Sequence, residues 1–265
     1  IDTKPDIVFH FAGLKSVSES ETNPLLYYDN NVGGTLQLLK ALDKSNCKNI
    51  IFSSSATVYG NPVYLPFDEY HQTNPINVYG KTKLICENLI ESWSKNRLTR
   101  SCIALRYFNP IGAHSSKLFG EYPYGTPNNL LPYICKVANK EIEFLEIFGN
   151  DYDTADGTGV RDYLHVMDIA DAHLKCLELL DKKKGFFKLN LGVGRGYSVL
   201  DVIKCFEKIN KVKIPYSFSK RREGDLSSYW ANSESSQQVL NWKPRFSLED
   251  ACKHSWDWYK NKTKL

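Results

Sequence analysis

The chain has 265 residues, 42% of them hydrophobic and 24% charged, with a formal net charge of +4, the make-up of a folded globular chain rather than a disordered one. No run approaches the roughly 18 consecutive apolar residues that a membrane-spanning helix needs. The basic runs Lys182-Lys183-Lys184 and Lys220-Arg221-Arg222 form no stripe of the kind that grips nucleic acid, so neither a membrane nor a nucleic acid is expected as partner.

In chain order, Asp6–Phe11 reads as a buried strand ending in an Ala-Gly turn, and Leu25–Leu42 carries apolar residues at helical spacing. Asn49–Ser53 is a second strand, Tyr79–Trp93 a second helix and Cys102–Tyr107 a third strand. Apolar runs alternating with helical patterns predict βαβ units and a parallel sheet covered on both faces. After Gly112 the rhythm changes. A stretch rich in Gly, Pro, Asn and Tyr leads to a helix, the strand Phe144–Phe148, a polar loop over 150–165 and a helix over Asp168–Leu180. Lys188–Leu191 reads as a short strand returning to the main sheet, and Ser198-x-x-Asp201 and Ser247-x-x-Asp250 as capping boxes opening two further helices. The expected fold class is α/β: a Rossmann-like, doubly wound parallel sheet with a smaller C-terminal α/β substrate lobe. Residues 1–110 are assigned to the first part and 111–265 mainly to the second, with segments near 150–192 returning to the sheet.

Seven cysteines at 47, 86, 102, 135, 176, 205 and 252 are scattered, with no Cys-x-x-Cys pair. That usage suits a reducing compartment, and a cytoplasmic location is expected. The six histidines show no ligand spacing, so no metal is expected. Leu191-Gly192-Val193-Gly194-Arg195-Gly196 imitates a dinucleotide fingerprint, but its glycines are spaced G-x-G-x-G and no acidic residue closes a following strand. It reads as a turn between a strand and a capped helix.

The chemistry concentrates at Tyr79-Gly80-Lys81-Thr82-Lys83. Tyr79 and Lys83, four apart on a helix, share a face. An ammonium beside a phenol stabilises the phenolate and draws its pKa down from about 10, which makes Tyr79 a candidate general acid/base. Ser53-Ser54-Ser55 leaves the preceding strand at its C-terminal end, where open α/β sheets place ligands. An exposed helix pair and a Ser-rich strand exit are the plain structural alternatives.

Further runs join these: HFAGLKSVSES, YYDNN, FSSSATVYG, LRYFNPIGAH, PNNLLPYI, IFGNDYDTADGTGVRDYLHVMDIAD and RREGD. Together, from residue 9 to residue 230, the chain resembles the extended short-chain dehydrogenase/reductases, and within them the 4-epimerases of UDP-glucose and UDP-galactose. The resemblance implies NAD as cofactor and transient oxidation at sugar C4, the keto sugar turning over before hydride returns to its other face. It implies Tyr79 as acid/base, Lys83 as its activator and ribose ligand, and Ser55 as the hydroxyl sharing the sugar 4-oxygen. Phe11, Ala12, Gly13, Lys15, Asn30 and Phe108 would complete the cofactor site. Asn109 would open the substrate site, Asn128, Asn129 and Leu130 touch the diphosphate, and Glu146, Ile147 and Phe148 the uracil. Arg161, Arg222 and Asp225 would hold pyrophosphate and ribose, and Tyr229 would border the sugar and restrict it to plain hexoses.

On the residues alone, a structural ion pair of Arg161 with Asp162 or Asp168 is as good a reading as a pyrophosphate ligand, and the plain alternatives are a core strand residue for Phe148 and a helix N-cap for Asn129. In relatives the helices at 25–42 and 79–95 form a dimer bundle, so a homodimer is expected. The resemblance implies that two βα units with the glycine fingerprint should stand before such a first strand. The chain is accordingly expected to be an N-terminally truncated one that binds NAD poorly and is itself inactive. A non-catalytic UDP-sugar-binding fragment is one rival. A nucleotide-sugar 4,6-dehydratase is another, but it carries Thr-Asp-Glu where this chain has Ser55-Ala56-Thr57.

Overall fold

The computed structural model describes residues 4–123, 125, 127–222 and 224–262; Ile1–Thr3 and Glu223 of the Arg-Arg-Glu-Gly-Asp run lie outside them. The chain opens with β1 (Ile7–His10), α1 (Val17–Thr22), α2 (Pro24–Tyr27), a π turn (Tyr28–Gly33) and α3 (Gly34–Asp43). Then come β2 (Asn49–Ser55), a 3-10 turn (Ala56–Val58), α4 (Val78–Lys95), β3 (Ser101–Tyr107), β4 (Asn109–Ile111), α5 (Leu130–Ala138) and β5 (Leu145–Phe148). Next are β6 (Val160–Arg161), β7 (Tyr163–His165), α6 (Val166–Lys182), β8 (Gly185–Leu191), β9 (Tyr197–Ser198) and α7 (Val199–Asn210). The chain closes with β10 (Tyr216–Ser219), β11 (Ser228–Tyr229), α8 (Glu234–Leu240) and α9 (Leu248–Lys262).

These elements divide into two compact units, the first comprising residues 1–107, 172–191 and 232–242, the second 108–171, 192–231 and 243–265. In the first, β1, β2, β3 and β8 form a sheet in that order, every pair parallel. Its strands are apolar runs because helices cover the sheet: Leu39 and Leu42 of α3 and Cys86, Ile90 and Trp93 of α4 share one core with Ile50, Phe52 and Ala104. The expected return of residues 188–191 to this sheet is observed, and the strand begins earlier, at Gly185. The sheet flanked by helices is the Rossmann-like arrangement that the alternating pattern predicts.

In the second unit, β5 pairs with β10 and β4 with β7, both parallel, and β6 lies between β11 and β9. Ile134, Ile147, Phe206, Ala251, Trp256 and Tyr259 contribute to its core. Both capping boxes form: Ser198 and Asp201 exchange side-chain-to-backbone bonds at the start of α7, and Ser247 and Asp250 do so before α9.

Three expectations need correction. The segment over 150–165 is not loop throughout, since β6 and β7 occupy its end; strands of two and three residues are too short to leave a period-2 signal. The helix expected over 25–42 is broken by a π turn, in which the carbonyl of Asp29 accepts from the N–H of Gly34. The N-cap position before α5 is Asn129, yet its side chain makes no capping bond and donates instead to Glu121 Oε1 at 2.7 Å.

Candidate functional site

In the first unit the reactive groups collect at the C-terminal ends of β1 and β2 and along the first two turns of α4. Asn77 caps α4, its side chain accepting from Gly80 N at 2.7 Å. Helical spacing then stacks Tyr79 and Lys83 on one face, with the Lys83 Nζ 5.8 Å from the Tyr79 ring centre and 4.9 Å from that of Phe52. Lys83 is 5% exposed and donates to the Ser53 carbonyl at 2.7 Å. Burial draws its ammonium down to about 8, against the pull of Cys86 and Glu87. Ser55 ends β2 in extended backbone, and its hydroxyl accepts from Thr57 N at 3.2 Å, opening the 3-10 turn.

The turn after β1 is held by Asn31, whose side chain accepts from Leu14 N at 2.7 Å and donates to Leu14 O at 3.0 Å and Thr82 Oγ1 at 3.1 Å. A Cβ on Gly13 would stand 3.2 Å from Asn31 Oδ1 and 3.7 Å from Lys83 Nζ. Gly13 therefore lets the backbone pass close beside the ammonium. Phe11, Ala12, Gly13, Lys15 and Asn30 lie around this turn or in the π turn, and Phe11 is 57% exposed. Exposed backbone, an open aromatic face and a buried ammonium at a parallel-sheet exit make a donor set suited to a ribose- and phosphate-bearing cofactor.

In the second unit the predicted substrate residues fall into three groups. Arg161 and Tyr229 face each other across the β6–β11 pair, with the guanidinium 4.6 Å from the ring centre and 3.4 Å from Asp225 Oδ1. Phe108 stacks at a tilt on Tyr229, 5.9 Å between centres, and Asn109 Oδ1 is buried with no hydrogen-bond partner among the described residues. Burial raises the Tyr229 phenol. Arg222 lies over the Phe148 ring at 3.9 Å, at the end of β5 where Glu146 and Ile147 also sit. Asn128, Asn129 and Leu130 stand at the start of α5. The acid that Arg161 meets is Asp225, while Asp162 and Asp168 accept from backbone N–H groups.

Several positioning residues escape a reading of the sequence. Asp162 accepts from Val193 N, Gly194 N and Ala231 N, and burial holds its carboxyl up to about 6. The G-x-G-x-G loop is thus a turn tied to a buried carboxylate, and Gly192 is required because a Cβ would meet Asp162 Oδ2 at 2.5 Å. Gly80 is its counterpart in the first unit, since a Cβ there would stand 2.6 Å from Thr57 O. Its identity was visible as the second residue of Tyr-Gly-Lys, but a close helix-to-turn approach leaves no other mark in sequence. Tyr163, buried on β7, lies near Arg161, Asp225 and Tyr229. Among the described residues no cluster of three or more His, Cys, Asp or Glu is placed to hold a metal.

Comparison with known proteins bears on this arrangement. Residues 1–192 match the NAD dependent epimerase/dehydratase family. The human UDP-glucose 4-epimerase is 49% identical over 254 residues, covering 96% of this chain and 73% of that enzyme. The Bifidobacterium longum UDP-glucose 4-epimerase, solved in complex with NAD+ and UDP, superposes with a TM-score of 0.95 at 46% identity, covering 99% of this chain and 78% of that one. The Stenotrophomonas maltophila enzyme, with bound NAD and formylated UDP-arabinopyranose, gives 0.95 at 44% identity, covering 98% and 77%. The chain belongs to the NAD dependent epimerase/dehydratase family, and groups within it with the UDP-glucose 4-epimerases.

Proposed function

We propose that the protein interconverts UDP-galactose and UDP-glucose by transient oxidation at C4 of the hexose, with NAD as cofactor and Tyr79 as the acid/base. The observation that carries this reading is the buried Lys83 ammonium beside the Tyr79 ring at the strand exit that ends in Ser55. Tyr79 takes the proton of the 4-hydroxyl and later returns one. Lys83 favours the phenolate that this requires, and Ser55 hydrogen-bonds the same sugar oxygen. The chemistry NAD supplies when bound is to accept hydride from C4 and give it back, so no net oxidation results.

Phe11, Ala12, Gly13, Lys15, Asn30 and Phe108, with Ser55, Tyr79 and Lys83, are the residues assigned to the cofactor. The backbone that Gly13 brings beside Lys83 fits that group. In the second unit, Arg161, Arg222 and Asp225 are assigned to the pyrophosphate and uridine ribose, since guanidinium forks meet phosphate oxygens two at a time. Asn109 opens the substrate site, Asn128, Asn129 and Leu130 take the rest of the diphosphate site, and Glu146, Ile147 and Phe148 the uracil. The first unit thus carries the proton chemistry and every cofactor residue but Phe108, and the second carries the residues assigned to the UDP-sugar. Solved relatives that hold NAD with UDP or a UDP-sugar support NAD as cofactor and a UDP-sugar as substrate.

Dehydration would need a further acid and base after Ser55, where this chain has Ala56 and Thr57. We also infer a homodimer through the helices over 25–42 and 79–95, supported by the exposure of Leu25, Leu26 and Leu36 (81, 50 and 39%). A cytoplasmic location is supported by seven free cysteines; no helix of the described residues is long and apolar enough to cross a membrane.

The bulk of Tyr229 supports restriction to plain hexoses. Assays with UDP-galactose and UDP-N-acetylgalactosamine test this: the first should convert to its 4-epimer without net NADH, and the second at least about tenfold more slowly, as a steric clash of 1–3 kcal/mol gives. Comparable rates would remove Tyr229 from its role.

A further inference from the structure

Beneath the strand exit lies a buried charge cluster that the proton chemistry does not use. Glu87 sits one helical turn beyond Lys83 and two beyond Tyr79, on the same face of α4. Ser54 Oγ donates to Glu87 Oε1 at 2.5 Å. Arg106, directly across the β2–β3 pair from Ser54, donates from Nε to Glu87 Oε1 at 3.0 Å and from Nη2 to Oε2 at 2.7 Å. Its guanidinium also lies over the Tyr59 ring at 4.7 Å, and the Tyr59 hydroxyl donates to Asn190 Oδ1 at 2.6 Å. Ser54, Glu87 and Arg106 are each 1% exposed.

Stability alone does not call for this cluster. Removing two ions from water costs several kcal/mol each, and a well-packed apolar pair in their place is commonly as stable or more so. What the ion pair provides is position. Lys83 is tied to Ser53 and Glu87 to Ser54, so successive residues of β2 are fixed to successive turns of α4. Ser55 is the next residue along, and Tyr79 one turn back. Arg106 grips both carboxylate oxygens of Glu87. The Lys83 ammonium, one turn away, is therefore left on the Ser53 carbonyl and beside Tyr79 rather than drawn down the helix to an unpaired carboxylate.

We propose that the Glu87–Arg106 pair is a positioning device for the epimerisation site, holding Ser55 and Lys83 in register with Tyr79. The inference rests on the reading of Tyr79 and Lys83 given above. A displacement of 1 Å between reacting groups can cost about a hundredfold in rate, so loss of the clamp is read in kcat, with KM for the UDP-sugar unmoved.

The test is the Glu87→Met/Arg106→Met double variant, compared with wild type in melting temperature, kcat and KM for UDP-galactose per folded protein. The account expects a folded protein melting close to wild type, KM within about twofold and kcat at least about tenfold lower, since every step of 1.4 kcal/mol in the barrier is tenfold. A folded double variant with wild-type kcat, or one whose loss lies in KM alone, overturns the proposal. Where the double variant does not fold, Ser54→Ala decides. It leaves the ion pair whole and cuts only the tie to β2, so a fall in kcat at constant KM supports the clamp and an unchanged kcat overturns it. Tyr79→Phe run alongside separates the two levels. If that variant is fully active the functional reading fails; if it is inactive while the clamp variants match wild type, only the positioning role fails.

Discussion

Lys83 is asked to remain a cation where the fold offers it little water. Burial brings it to about 8, against about 10.4 for an exposed lysine. The folded chain therefore gives up this proton earlier than the unfolded chain. Between pH 8 and 10.4 the unfolded state binds more protons, and stability attributable to this residue rises with pH. Denaturant unfolding of wild type and Lys83→Met across pH 7 to 10 should show wild type gaining on the variant above pH 8; parallel profiles would mean that Lys83 is solvated. Asp162 is the corresponding buried carboxylate of the second unit. Asn in its place keeps one acceptor and turns a donor toward N–H groups that now find carboxylate oxygens. Asp162→Asn should cost about 1–3 kcal/mol of stability, the penalty for buried donors left unsatisfied, measured by urea unfolding; a variant as stable as wild type would show that the 193–194 turn holds itself.

At the scale of elements, the sequence was most legible where local chemistry acts alone. The apolar runs of β1, β2 and β3 and the spacing of α4 announce themselves through period, and Ser198-x-x-Asp201 through capping chemistry. Ser198→Ala should destabilise the protein by about 1 kcal/mol, visible as a lower urea midpoint with unchanged slope. Gly80→Ala is the opposite case. Helix propensity alone favours alanine over glycine by about 1 kcal/mol, yet the new methyl would press on the Thr57 carbonyl at 2.6 Å. The variant should lose stability despite its better propensity, and a stabilised Gly80→Ala protein would contradict the close approach of α4 to the turn after Ser55. That approach was not legible because it joins elements 23 residues apart by backbone contact. The π turn at Tyr28–Gly33 and the short strands β6 and β7 were missed for a related reason: each is too short to imprint a period, and tertiary hydrogen bonds decide it.

For the whole molecule, the α/β class and the return of β8 to the parallel sheet followed from patterning, while the pairing of distant segments did not. No spacing rule connects Asp162 with Gly194 and Ala231, Asn190 with Tyr59, or Arg106 with Glu87. These are long-range polar ties between buried groups, and in sequence each partner is one more Asp, Asn or Arg. The candidate site shows the same division. Tyr79 with Lys83 could be argued from helical geometry, and Ser55 from strand-exit logic. The assignments in the second unit came from a family resemblance, to which the structure adds the Arg161–Asp225 pair and the stacking of Arg222 on Phe148.

The central claim, that Tyr79 moves the proton of the sugar 4-hydroxyl, is tested most directly by following conversion of UDP-galactose to UDP-glucose with wild type and Tyr79→Phe at matched folded concentration. Phe keeps the ring and removes only the hydroxyl, so the account predicts a kcat lower by about 10²- to 10⁴-fold, the usual worth of a positioned acid/base. A Tyr79→Phe protein that epimerises at the wild-type rate would contradict it.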